Sequence, residues 1–149
     1  MAFSTRPHNG GTVSQLASTV TLGAGQAVVE AARSKAAQIG VPMNIAVVDE
    51  GGNLVAFARM DDAWLGSIDI AQNKAYTARA FDMPTKDLAP LVLPGGPLYG
   101  IEVSNRGRLI VFAGGIPLIA GSRVVGAIGV SGGTVEQDQE VAEAGVAAF

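Results

Sequence analysis

The chain has 149 residues, 48% of them hydrophobic and only 15% charged, with a net charge of −3. This is the size of one ordinary domain with a sizeable core. The charged share falls well under the roughly 25% typical of soluble domains, so copies are expected to hide apolar surface against one another as a homo-oligomer. The seven arginines are scattered rather than clustered, which argues against nucleic-acid binding, and the lack of cysteine excludes disulfides, thiolate metal sites and a cysteine nucleophile.

Residues 1–13 read as a flexible arm without a hydrophobic signal core, and 14–149 as one domain. His8, the only histidine, falls in the arm between Pro7 and Asn9-Gly10-Gly11. A helix is expected from Thr21 to Ile39, where Leu22, Ala27, Val28, Ala31, Ala32 and Ala36 recur at helical spacing; Gly40 stops it and Pro42 prevents its return. Asn44–Asp49 and Leu54–Met60 are strands joined by the turn Glu50-Gly51-Gly52-Asn53. Ile45 and Val47 face one way and Ala46 and Val48 the other, so this strand is covered on both faces. Helices are expected as one cover and a partner subunit as the other.

Ser67–Phe81 is a second helix, ended by Pro84, with a short helical turn over Thr85–Leu91. Leu93-Pro-Gly-Gly-Pro-Leu-Tyr-Gly100 is a loop rich in turn residues. Three strands are expected next, over Arg108–Ala113, Pro117–Ala120 and Arg123–Val130, close enough together to require antiparallel hairpins. The first of them, Gly107-Arg-Leu-Ile-Val-Phe-Ala113, echoes Gly52-Asn-Leu-Val-Ala-Phe-Ala58, as two hairpin strands under similar constraints would. The apolar span from Leu109 to Val130 is long enough for a membrane helix, but Gly114, Gly115, Pro117, Gly121 and Arg123 break it up. No membrane segment is expected, and a cytoplasmic location is. After Gly132-Gly133, Thr134 and Gln137 have capping-box spacing and open a final helix over Val135–Ala148. The order predicts an α+β domain: a five-stranded antiparallel sheet with packed helices.

Several segments together resemble the GlcG/HbpS-like family, which includes the C-terminal domain of PduO-type proteins. They are Val48-Asp-Glu-Gly-Gly-Asn-Leu-Val-Ala-Phe-Ala-Arg-Met-Asp61, Lys74-Ala-Tyr-Thr77, Pro97-Leu-Tyr-Gly100, Gly107–Pro117 and Val125–Asp138. The resemblance covers the chain from about Thr21 to its end. It implies a profilin-like or PAS-like fold, oligomers of small domains, and haem or another small molecule as ligand.

Candidate site residues are few. His8 would be the haem ligand of choice, but an axial ligand must be held in place, and an arm does not hold it. Tyr76, Tyr99, Met43, Met60 and Met83 are the other candidates, none singled out. Arg59 could clamp a carboxylate in a two-pronged geometry, with Asp61 to orient it or act as a base; the alternative is a strand-end ion pair. Lys74 stands among Ser67, Ala71 and Ala78 on one helix face, either reaching a pocket or laying its stem along the packed face. Tyr99 could wall a pocket or pin its loop. Gly114 and Gly115 could offer backbone N–H groups to a ligand. Gly132-Gly133 precedes a helix N-terminus, but Glu136 and Asp138 already place carboxylates there. No metal site and no catalytic set are assigned.

Two functions compete. One is a homo-oligomeric binder of haem or another small anionic metabolite. The other is a cofactor-independent lyase, isomerase or hydratase, with Arg59 anchoring a small carboxylate while Lys74, Asp61 or Tyr99 moves protons. A structural partner module without a pocket is a third possibility.

Overall fold

The computed structural model describes residues 18–149; the arm and His8 lie outside the described residues. Helix α1 (Leu22–Ile39) starts where Thr21 accepts the Ala24 N–H and ends at Gly40, whose φ of 72° suits a left-handed cap. Strands β1 (Asn44–Asp49) and β2 (Leu54–Arg59) form the expected hairpin. Asp49 Oδ1 shapes its turn by accepting the N–H groups of Gly51 and Asn53.

Helix α2 (Gly66–Phe81) and the short α3 (Thr85–Leu88) follow. The chain then runs through single turns of 3₁₀ helix to β3 (Gly115–Ala120) and β4 (Arg123–Ser131). Helix α4 (Val135–Val146) opens with a complete capping box: Thr134 accepts the Gln137 N–H, and the Gln137 side chain accepts the Thr134 N–H. Among the described residues, no helix is long and apolar enough to cross a membrane.

The sheet has four antiparallel strands in the order β2-β1-β4-β3, not the five expected. Arg108–Ala113 is not a strand. Its backbone is held by side chains from the helices: Ile110 N–H donates to Thr77 Oγ1, and Phe112 O accepts from Thr85 Oγ1. Thr85 Oγ1 also accepts the Gly115 N–H, where β3 begins. The echo between this stretch and β2 is one of composition alone, because β2 finds β1 to pair with and 108–113 finds a helix.

The two faces of β1 are both covered, as expected, but both covers come from this chain. Ile45 and Val47 join Val28, Ala32, Ile128 and Val141 in a core under α1 and α4. Ala46, Val48 and Ala127 meet Ala71, Ala75 and Ala78 of α2. The second cover, expected from a partner subunit, is therefore α2. Its apolar contacts with the sheet are Ala71, Ala75 and Ala78, small enough to let the helix backbone approach the sheet closely.

Candidate functional site

Lys74 lies on the packed face of α2 and is fully buried. Its ammonium donates to Asp138 Oδ2 at 2.7 Å and to Val130 O at 2.8 Å, and lies 4.8 Å from the centre of the Phe112 ring. Asp138, only 3% exposed, uses its other oxygen to accept the N–H groups of Gly132 and Gly133. The helix N-terminus after the second glycine pair thus already holds an anion, the chain's own Asp138. Burial pushes the Lys74 amine down and the Asp138 carboxyl up, each against the pull of its partner.

The first glycine pair is equally engaged. Gly114 donates to Gln139 Oε1 and Gly115 to Thr85 Oγ1. Gly114 also fits where no side chain could: its φ is 120°, and a Cβ would stand 2.8 Å from Lys74 Nζ. Lys74, Gly114 and Asp138 therefore form one sealed cluster joining α2, α4 and the β3 entry. Its polar groups face one another rather than a cavity.

Arg59 and Asp61 sit elsewhere, at the end of edge strand β2. The Arg59 guanidinium donates through Nε and Nη2 to Ala63 O, closing the turn after the strand. With Arg33, Met60 and Asp61 it lines a cleft of about 360 Å³. Arg33 also lines a larger cleft, about 480 Å³, between α1 and β2, walled by Leu22, Val29, Val55 and Phe57. The Arg33 guanidinium is steadied by a two-pronged bond to Glu30, which holds the Glu30 carboxyl below its ordinary range. Arg59 and Asp61 are thus brought together, and Lys74 is not with them. Tyr99 is 68% exposed on its loop and makes no side-chain hydrogen bond among the described residues.

Sequence reasoning missed two participants. Asp138 was visible only as a first-turn carboxylate, not as the partner of a lysine 64 residues away. Arg33 carried a signal, its i,i+3 spacing from Glu30, but nothing in that spacing points across to β2.

A small antiparallel sheet between α2 on one face and α1 with α4 on the other is an architecture found in solved structures. Klebsiella pneumoniae protein ORFY is 42% identical, with a TM-score of 0.87 over 97% of both chains. PduOC, solved as a haem complex, is 36% identical, with a TM-score of 0.84 over 87% of this chain and 94% of that one. A 15.0 kDa protein of the dhaT-dhaS intergenic region of Citrobacter freundii is 46% identical over 136 residues, 91% of this chain and 96% of that protein. The family described as "Haem degrading protein HbpS-like" matches residues 20–147. The chain belongs to this HbpS-like family, as the sequence resemblance implied.

Proposed function

We propose that this protein binds a small ligand, haem or another small anionic metabolite, in the cleft between α1 and β2, and works as a homo-oligomer. The observation that carries this is the likeness to PduOC, whose structure is a haem complex, across most of both chains. The cleft itself supports it. Leu22, Val29, Val55 and Phe57 supply apolar walls, Arg33, paired with Glu30, stands on the same wall, and Arg59 lines the adjoining cleft that Arg33 shares. Apolar walls beside guanidinium groups suit a flat apolar body bearing a carboxylate.

The fit to haem is partial. The described residues contain no histidine or cysteine. Among the described residues lining the two clefts, Met60 alone has a side chain of a common haem-ligand type, and its sulfur already accepts the Met43 N–H. The walls suit the periphery of a porphyrin better than its metal. An oligomer is supported by residues 89–103, where no side chain is fully buried although Leu93, Tyr99 and Val103 are among them.

A lyase, isomerase or hydratase built on Arg59 and Lys74 gains no support. Lys74 is sealed against Asp138, and Arg59 lines a separate cleft.

Titration with haemin and with iron-free protoporphyrin, followed by absorbance and Trp64 fluorescence, tests the binding. Saturable binding of both is expected, with iron contributing little. Removing a charged partner of a desolvated ligand costs on the order of 2–5 kcal/mol, so Arg59→Ala should weaken binding at least about tenfold. His8→Ala should leave it nearly unchanged. Absence of saturable binding by either porphyrin removes haem as the ligand, and a complex abolished by His8→Ala moves the site to the arm.

A further inference from the structure

Away from that cleft, three arginines gather around Tyr76 on α2. The Arg108 guanidinium lies over the Tyr76 ring, 3.6 Å from its centre. The Tyr76 hydroxyl donates to Asn105 Oδ1 at 2.8 Å. Tyr76, Asn105, Arg106 and Arg108 together line a cavity of about 340 Å³. A neighbouring cavity of about 230 Å³ shares Tyr76 and holds Arg79, with Glu50 also on its wall. Arg79 is paired with Asp82, yet its buried Nε has no hydrogen-bond partner.

Among the described residues, the Arg33, Arg59 and Arg79 side chains have hydrogen-bonded partners, whereas those of Arg106 and Arg108, like that of Arg123, have none. Among the described residues, neither has a carboxylate within ion-pair distance, and neither guanidinium donates a hydrogen bond. Two cations on one small cavity, without a counter-charge, repel each other unless an anion joins them. Arg108 is also pre-positioned. Stacking on Tyr76 holds its planar fork while leaving its edge donors free.

The backbone adds an independent sign. Asn105, Arg106 and Gly107 have φ values of 51°, 59° and 72°, three consecutive left-handed residues. Asparagine and glycine adopt this conformation readily, but arginine does so at a cost. The turn is closed by Gly107 N–H to Ser104 O and Arg108 N–H to Asn105 O, neither of which needs an arginine side chain at 106. Glycine would serve the turn better. A strained arginine whose side chain contributes nothing visible to the fold points to a role outside it.

We propose that Arg106 and Arg108, presented on the Tyr76–Asn105 platform, form a binding site for a small molecule bearing a carboxylate or phosphate group. The shared chemistry is an oxyanion that takes two or more guanidinium N–H donors at once. Tyr76 and Asn105 are positioning residues, since each is engaged with the other. The site is distinct from the α1–β2 cleft and does not depend on haem.

The test is a titration of the full chain with inorganic phosphate and, separately, with succinate, followed by backbone amide NMR. Saturable shifts centred on residues 104–110 are expected, and the stronger of the two probes identifies the class. Arg108→Gln and Arg106→Gly should each weaken binding at least tenfold. Arg106→Gly separates binding from folding: with the left-handed strain relieved, its melting temperature should equal or exceed that of the parent chain. Three results overturn the proposal: no saturable shift at 104–110 with either probe, saturable shifts confined to other residues, or Arg106→Gly and Arg108→Gln chains that bind like the parent. The porphyrin titration is read out at a different site, so either result can fail while the other stands.

Discussion

Gly129 of β4 faces the carbonyl of Ala71 on α2 so closely that a Cβ on Gly129 would stand 2.0 Å from that oxygen and 2.5 Å from Ala75 N. Both obstacles are helix backbone, which cannot turn aside as a side chain can. The alanine stripe of α2 and the glycine of β4 are therefore two halves of one contact, each small because the other is near.

Gly129→Ala should push α2 off the sheet. Overpacking of this kind costs typically 1–3 kcal/mol, and with backbone on both sides the upper end, about 3 kcal/mol, is expected. For a domain of this size that corresponds to roughly 6–12 °C in melting temperature. Gly66→Ala is the control: nothing lies within 4 Å of its would-be Cβ, so it should be neutral or slightly stabilising. Equal melting temperatures for the two variants would show that α2 does not lie this close.

Much of this packing was legible before the fold was known. Thr134 and Gln137 announced α4 because capping is local chemistry, complete within four residues. Gly51-Gly52 between two apolar runs announced the β1–β2 hairpin for the same reason. Arg108–Ala113 misled because an apolar run signals burial, not a partner. Which neighbour receives its N–H groups is decided by Thr77 and Thr85, residues far away in sequence. The second cover of β1 is expected from another subunit but comes from α2, whose alanines suffice because a glycine of β4 opposes them. At the candidate sites the odd lysine and the strand-end arginine stood out as residue types. That one is sealed and the other lines a cleft follows from three-dimensional pairing, to which residue spacing is blind.

Lys74 and Asp138 form an ion pair with side chains 0% and 4% exposed. Lys74→Met leaves a buried carboxylate with two backbone N–H donors and no counter-charge. Breaking one side of such a pair costs about 3–5 kcal/mol. The double replacement Lys74→Met with Asp138→Asn keeps an acceptor for Gly132 and Gly133 while removing both charges. It should recover most of the loss. Additive losses in denaturant unfolding, rather than recovery, would show that the two residues act separately.

The same pair predicts a pH dependence. Burial holds the Asp138 carboxyl above its ordinary value of 3.8 and the Lys74 amine below its ordinary 10.5. The folded state then takes a proton on Asp138 at a higher pH than the unfolded chain does. Between that raised value and 3.8 the folded state binds more protons, so the Asp138 contribution to stability grows as pH falls through the window. For Lys74 the folded state loses its proton first, and its contribution grows as pH rises from the depressed value to 10.5. Unfolding free energies of the parent chain and the Lys74→Met/Asp138→Asn chain, compared from neutrality down toward 3.8, should move in favour of the parent. A shift in favour of the double variant would mean that the ion pair outweighs burial.

Assembly is the remaining expectation, and its basis has moved from the sheet to the loop. Both sheet faces are covered within the chain, so a partner is not needed there. The segment 89–103 is different: Val103 is 86% exposed, and Tyr99 and Leu93 are on the same stretch, which has no fully buried side chain. Apolar surface of this kind on a chain with few charges is covered most simply by a second copy. Sedimentation at micromolar concentration should show a species heavier than the 15.1 kDa monomer. Val103→Asp with Leu93→Asp should shift the mass toward 15.1 kDa. Substitutions at surface positions away from special contacts change stability by about 0.5 kcal/mol or less, so the separated monomer should remain folded. A parent chain that sediments as a monomer throughout would remove the oligomer. A double-aspartate chain that stays assembled would place the interface on another face.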